Sequence, residues 1–226
     1  MKKQFYILVV ITTCFVTLGF AQRASYQIKN GFALTGGLTQ FDIITDNFKT
    51  KSANGFLGGL AAEVDIPNKW YNISFGMQLS ENHLEVSARP ALISNEESNI
   101  EYKLFAAQVA MLMHIKIVPY HFTIDVGPML QYNGKLELKD ENQSGYYINN
   151  YTNLMAEDIS NISQFHFNGA VGASAGIKNF KLKAQYIYGF TNMLKKLDKK
   201  GLDTLGGKAN FEGHQSMLVL GAMVSF

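Results

Sequence analysis

The stretch YNISFGMQLS, residues 71–80, admits one regular backbone. Tyr71, Ile73, Phe75, Met77 and Leu79 alternate with Asn72, Ser74, Gly76, Gln78 and Ser80. A helix would scatter the apolar set around its circumference. A strand points successive side chains to opposite faces and so makes one apolar and one polar face. Similar alternation runs through 31–41, 55–65, 102–117, 121–132, 165–177, 180–190 and 217–226. The sequence therefore predicts eight strands, and no helix after the N-terminal segment.

The connections sort into two classes. IPNK, VP and KN give tight turns after the second, fourth and sixth strands, while longer polar segments near 42–54, 82–101, 133–164 and 191–213 follow the odd ones. Alternating strand direction then puts all short turns at one end and all long loops at the other. That asymmetry belongs to an outer-membrane barrel with short periplasmic turns and longer extracellular loops. A soluble eight-stranded barrel also alternates, but turns its apolar face inward. Aromatic residues at both ends of the strands favour the membrane: Trp70, Tyr71, Tyr120, Phe122 and Phe180 by the turns, and Tyr132, Phe165, Tyr188 and Phe190 by the loops. Such rings settle at headgroup level. The fold expected is all-β, an eight-stranded antiparallel transmembrane barrel. Composition permits it, because 47% apolar residues alternating with polar ones leave the mean hydropathy near zero.

The chain opens MKKQFYILVVITTCFVTLGFAQ. Two lysines, a short apolar run and the small residues Gly19 and Ala21 match a secretory signal cleaved after Ala21. The expected organisation is a signal peptide at 1–21 and a barrel domain at 22–226. Cleavage would remove Cys14, the sole cysteine, and two of the 20 basic residues, leaving 18 against 18 acidic. A neutral exported chain without thiols gives no electrostatic case for nucleic acid.

In the final residues, Leu218, Leu220, Ala222, Val224 and Phe226 share one face, while Met217, Val219, Gly221, Met223 and Ser225 share the other. Closing the barrel pairs this strand with the first, near Phe32, since no sheet edge can stay open in lipid. IDVGPMLQY with Gly127 and Pro128, FKLKAQYIYGFTNM and LVLGAMVSF resemble the fifth, seventh and closing strands of the small "porin family", PorT-like outer-membrane barrels of the Bacteroidota. The fourth strand departs from that pattern, with FAAQVAMLM in place of an Ile-Pro-Leu-type segment. The resemblance implies integral outer-membrane localisation, contact with outer-membrane lipid and lipopolysaccharide, and recognition of the last strand by the barrel assembly machinery. It also implies loops available to surface or secretion partners.

An eight-stranded lumen is just wide enough to be filled by side chains. The polar face assigns it Glu63, Lys103, Gln108, His114, Asp125, Gln131, Lys181, Lys183 and Gln185. Charges buried there must pair, so the expectation is a hydrogen-bonded plug and no diffusion pore. The histidines, His83, His114, His121, His166 and His214, lack paired metal-ligand spacing. Glu212, His214 and Ser216 lie on one strand face, the residue types of a lipid A hydrolase, but three common residues at period two do not establish a triad. The loop SGYYINNYTNLMAEDISNIS reads as solvated. No catalytic, cofactor or metal site is assigned. The function expected is non-enzymatic presentation of loops at the cell surface, with a PorT-like secretion accessory as the second reading.

Overall fold

The computed structural model describes residues 29–66, 68–94, 96–177 and 179–226; the expected signal peptide lies outside them. Its strands are β1 (Lys29–Thr45), β2 (Thr50–Asp65), β3 (Tyr71–Arg89), β4 (Ser98–Val118), β5 (Phe122–Leu138), β6 (Tyr147–Ile148), β7 (Phe165–Ile177), β8 (Phe180–Gly189) and β9 (Gly213–Ser225). All but β6 form one antiparallel ring in the order β1-β2-β3-β4-β5-β7-β8-β9. β1 and β9 close it with Leu34 opposite Val224 and Leu38 opposite Leu220. The Phe226 N–H donates to the Phe32 carbonyl at 2.8 Å, so the closing seam is hydrogen-bonded to the last residue. β6 adds two residues to the outer end of β3.

The periplasmic turns fall where the sequence places them. The β2–β3 turn uses Asn68 at φ 63°, a conformation that asparagine tolerates. The β4–β5 turn forces Tyr120 to φ 66°, a strained setting for a bulky residue, and is clamped by the His121 N–H to the Val118 carbonyl at 3.0 Å.

Three of the four outer connections are shorter than expected. The stretches 42–54 and 82–101 are mostly strand, leaving loops at 46–49 and 90–97; the other two run 139–164 and 190–212. β4 has 21 residues, whereas a tilted strand crosses the hydrocarbon layer in about 9–11. The wall therefore continues well past the membrane on its outer side.

Polarity inverts where the wall leaves lipid. On β3, Ile73, Phe75, Met77 and Leu79 face outward and are exposed, with Asn72, Ser74, Gln78 and Ser80 inside. Farther along, the outward set becomes Glu81, His83 and Glu85, and the inward set becomes Leu84, Val86 and Ala88, all fully buried. β1 switches in the same way, from Thr39 inside to Phe41 and Ile43 inside. β4 carries Ile100, Tyr102 and Leu104 on the inner face above Ala106 and Gln108. In lipid the outward face must be apolar; in water it must be polar, and the apolar residues turn inward.

This inversion corrects one placement. Lys103 shares the outward face with Phe105, and its ammonium lies 3.2 Å from Glu81 on the outer wall. The other expected lumen residues do face inward.

A closed lumen under a folded cap as the candidate functional site

Four tiers fill the barrel from the periplasmic end. The first is a vestibule of about 490 Å³ whose walls carry charges in pairs. Lys116 meets Asp65 at 2.7 Å and Lys181 meets Glu63 at 3.9 Å.

Above it, Asp125 is fully buried and holds the second tier together. It accepts from the His114 ring Nδ1 at 2.7 Å, from the Thr123 hydroxyl at 2.7 Å, and from the Ser174 hydroxyl. The other ring nitrogen of His114 bonds the Ser74 hydroxyl at 2.7 Å. Lys183 projects inward opposite Ser174, so the tier carries both signs of charge. Ser74, His114 and Asp125 thus have the connectivity that activates a serine nucleophile. The backbone around Ser74 and His114 is paired in ladders on both sides, and no N–H is left to stabilise an oxyanion. The geometry is that of internal wiring. The composition of each strand hides this cluster, and only register reveals it: the β4–β5 turn sets His114 opposite Asp125.

The third tier is a net of amides. Gln131 accepts from Gln108 and Asn168 at 2.8 Å each and donates to Asn133 and Gln215 at 2.6 Å each. Thr39 joins Asn82 at 2.9 Å beside it.

The fourth tier is apolar, and the loops build it. Ile148, Tyr151, Leu154, Ala156, Ile159 and Ile162 from the third loop pack with Met193, Leu194, Leu197 and Phe211 from the fourth. They close over Phe41, Ile43, Leu84, Val86, Ile100, Tyr102 and Leu104 of the wall. The third loop is therefore a structured plug, contrary to the solvated loop that its Tyr, Asn and Ser content suggests. Its buried residues recur about every third position, a spacing that matches neither the alternation of a strand nor a sustained 3.6-residue helical repeat.

Polar clamps fix this cap. The Tyr102 hydroxyl donates to the Ala156 carbonyl at 2.9 Å. Arg89 donates to the Tyr151 carbonyl at 2.7 Å. Asn47 donates to the Tyr151 hydroxyl at 3.1 Å and the Asn210 carbonyl at 2.8 Å, and accepts from the Glu212 N–H at 2.9 Å. The Tyr151 ring stacks on Phe211 at 6.0 Å. At the rim, Asp46 accepts from Lys208 at 2.8 Å, which holds its carboxyl below the usual range. Asp203 is lowered likewise by Asn153 and the Leu205 N–H.

The outer wall carries a separate charge ladder. His83 sits between Glu101 at 2.9 Å and Glu81 at 3.3 Å, Lys139 pairs with Glu101 at 2.9 Å, and Lys51 pairs with Glu85 at 3.1 Å.

The histidines are dispersed accordingly. His83 and His214 are on the outer wall, His114 is in the lumen, His121 is at a periplasmic turn, and His166 bonds Thr191 and the Ser163 carbonyl under the cap. Glu212, His214 and Ser216 do share a face, but they are not linked as a triad. His214 bonds the Gly189 carbonyl at 3.0 Å and lies 3.5 Å from Glu212, while the Ser216 hydroxyl is 3.0 Å from that of Tyr186.

An apolar belt, a polar interior and a one-sided cap define an eight-stranded outer-membrane barrel. The chain belongs to the outer membrane protein beta-barrel domain family, whose model matches residues 20–195. It is integral to the outer membrane. Similar solved structures include Neisserial surface protein A, 13% identical with a TM-score of 0.47, covering 86% of this chain and 97% of that one. Ail of Yersinia pestis, crystallised with the heparin analogue sucrose octasulfate, is 13% identical at 0.46, covering 88% and 99%. OprG of Pseudomonas aeruginosa is 11% identical at 0.48, covering 89% and 98%. No curated protein sequence matches significantly.

Proposed function

We propose that this protein is a non-enzymatic outer-membrane barrel whose folded cap is a contact surface at the cell exterior. The observation that carries the reading is the apolar fourth tier, which turns two long loops into one packed body continuous with the wall. A channel would spend its lumen on water, and here the Asp125 cluster, the amide net and the cap occupy it above the vestibule. A substrate-processing site would need access to its reactive groups. Ser74 is buried in the wiring and Ser216 is hydrogen-bonded away from His214.

Cross-linking at the cap in intact cells, followed by purification from native membranes, tests the reading. Captured surface components or glycans support it. Recovery of a protein-export complex would make the barrel a secretion accessory of the PorT-like kind. Recovery of the bare barrel alone, with cross-linkers placed at several cap positions, would contradict it.

A further inference from the structure

The cations above the membrane differ in pairing: Lys49 and Lys208 lie 3.7 and 2.8 Å from Glu97 and Asp46, and Arg89 clamps the Tyr151 carbonyl. On the β2–β5 side, Lys51, Lys103 and Lys139 all reach a glutamate within 4 Å. On the β5–β8 side, Lys135, Lys195, Lys196, Lys199 and Lys200 have no ion-pair partner among the described residues. Four of them lie within KKLDKK, residues 195–200. The only acid in that segment, Asp198, is turned to the Phe211 N–H at 2.6 Å. Nearby, Asp158 accepts from the Met155 N–H, and Glu157 is exposed. The segment is also rigid. Leu197 is fully buried, the Leu197 N–H closes a turn on the Leu194 carbonyl at 2.8 Å, and Lys200 bonds the Asp158 carbonyl at 3.1 Å.

Height places this flank against the membrane surface. A hydrogen-bonded tier runs from Asn133 to Gln164, from Ser163 to Met193, and from Met193 to Gly213. Gly213 is five residues beyond Leu218, an exposed apolar residue of the belt, and three beyond Ser216. At about 3.3 Å per residue along a tilted strand, the lysines begin roughly 10 Å above the hydrocarbon. Exposed Phe165 and Phe190 lie just below. At that depth the outer leaflet holds phosphorylated and carboxylated sugars.

We propose that Lys135 and the Lys195–Lys200 segment bind the anionic groups of the lipopolysaccharide surrounding the barrel, fixing the cap against the leaflet. This deepens the surface-contact reading and takes from it only the outward placement of the cap. Unpaired, preorganised cations suit that partner, because ammonium groups tied to internal carboxylates would have to break those pairs first.

The test uses the refolded mature barrel in phosphatidylcholine nanodiscs, titrated with intact lipopolysaccharide, with its dephosphorylated form and with soluble polyphosphate. A lysine near an anionic surface is worth about fivefold in binding. The combined Lys195→Glu, Lys196→Glu, Lys199→Glu and Lys200→Glu variant should lose roughly a hundredfold or more for intact lipopolysaccharide. The Lys51→Gln, Lys139→Gln variant should bind as the unaltered protein does. Dephosphorylation should weaken binding to the unaltered protein, and salt should screen it. Heat-modifiable gel migration verifies that each variant is folded. Unchanged lipopolysaccharide binding by the folded quadruple variant would overturn the proposal, as would a loss confined to polyphosphate. Either failure leaves partner capture by the cap as a separate result.

Discussion

At the residue scale, Asp125 organises the lumen. It receives three side-chain donors, and Lys183 stands opposite one of them, Ser174. Asp125→Ala would leave those donors unmatched and the ammonium unbalanced, at a cost of about 3–5 kcal/mol. Urea unfolding in lipid vesicles measures this, and an unchanged midpoint would contradict the wiring. Gly221 is constrained by close approach, since a Cβ there would stand 2.5 Å from the Gly36 carbonyl oxygen across the closing seam. Gly221→Ala should destabilise the fold by roughly 1–3 kcal/mol, read as a weaker heat-modifiable folded band on gels. The rim carboxylates make a prediction about pH. The folded pKa values of Asp46 and Asp203 lie below the ordinary aspartate value of 3.8. Their stabilising contribution is therefore complete above that value and is lost as pH falls through the lower folded one. Carbon-detected NMR titration should find both midpoints below 3.8, and midpoints above it would remove these clamps from the account. The inward direction of Asp125 and His114 was legible from alternation. Their contact was not, because it depends on a hairpin register that alternation along one strand does not fix.

At the scale of elements, alternation located all eight barrel strands and the three tight turns, and it gave the correct two faces for the closing strand. It failed at the outer ends. A period-two reading tuned to an apolar outer face takes His83, Glu85 and Glu101 for loop and turns Lys103 into the lumen, although the same strands continue with their polarity reversed. The change of solvent, and no break in the backbone, is what the sequence records there. The amides of Leu84, Val86 and Ala88 should accordingly show core-like hydrogen-exchange protection; exchange at open-loop rates would refute the extended wall. The third loop hid its plug for a different reason, since Ile148, Tyr151, Leu154, Ile159 and Ile162 follow neither helical nor strand spacing. Tyr151→Ala would remove the ring stacked on Phe211 and the hydroxyl held by Asn47. That should destabilise the cap by about 3–5 kcal/mol, exposing 139–164 to protease while the membrane band of the barrel stays intact.

At the scale of the whole molecule, the barrel is two proteins in one wall. The lower part is an inside-out lipid-embedded cylinder with a polar interior, and the upper part is an apolar-cored body built for water. The upper part packs the third and fourth loops onto the wall, and the lower part carries hydrogen-bonded polar clusters across the lumen. A lumen closed to ions is the property on which this reading stands, and single-channel recording of the folded protein in planar bilayers measures it. No sustained conductance steps are expected across the voltage range the bilayer tolerates. Stable, large, reproducible steps from the native barrel would contradict it.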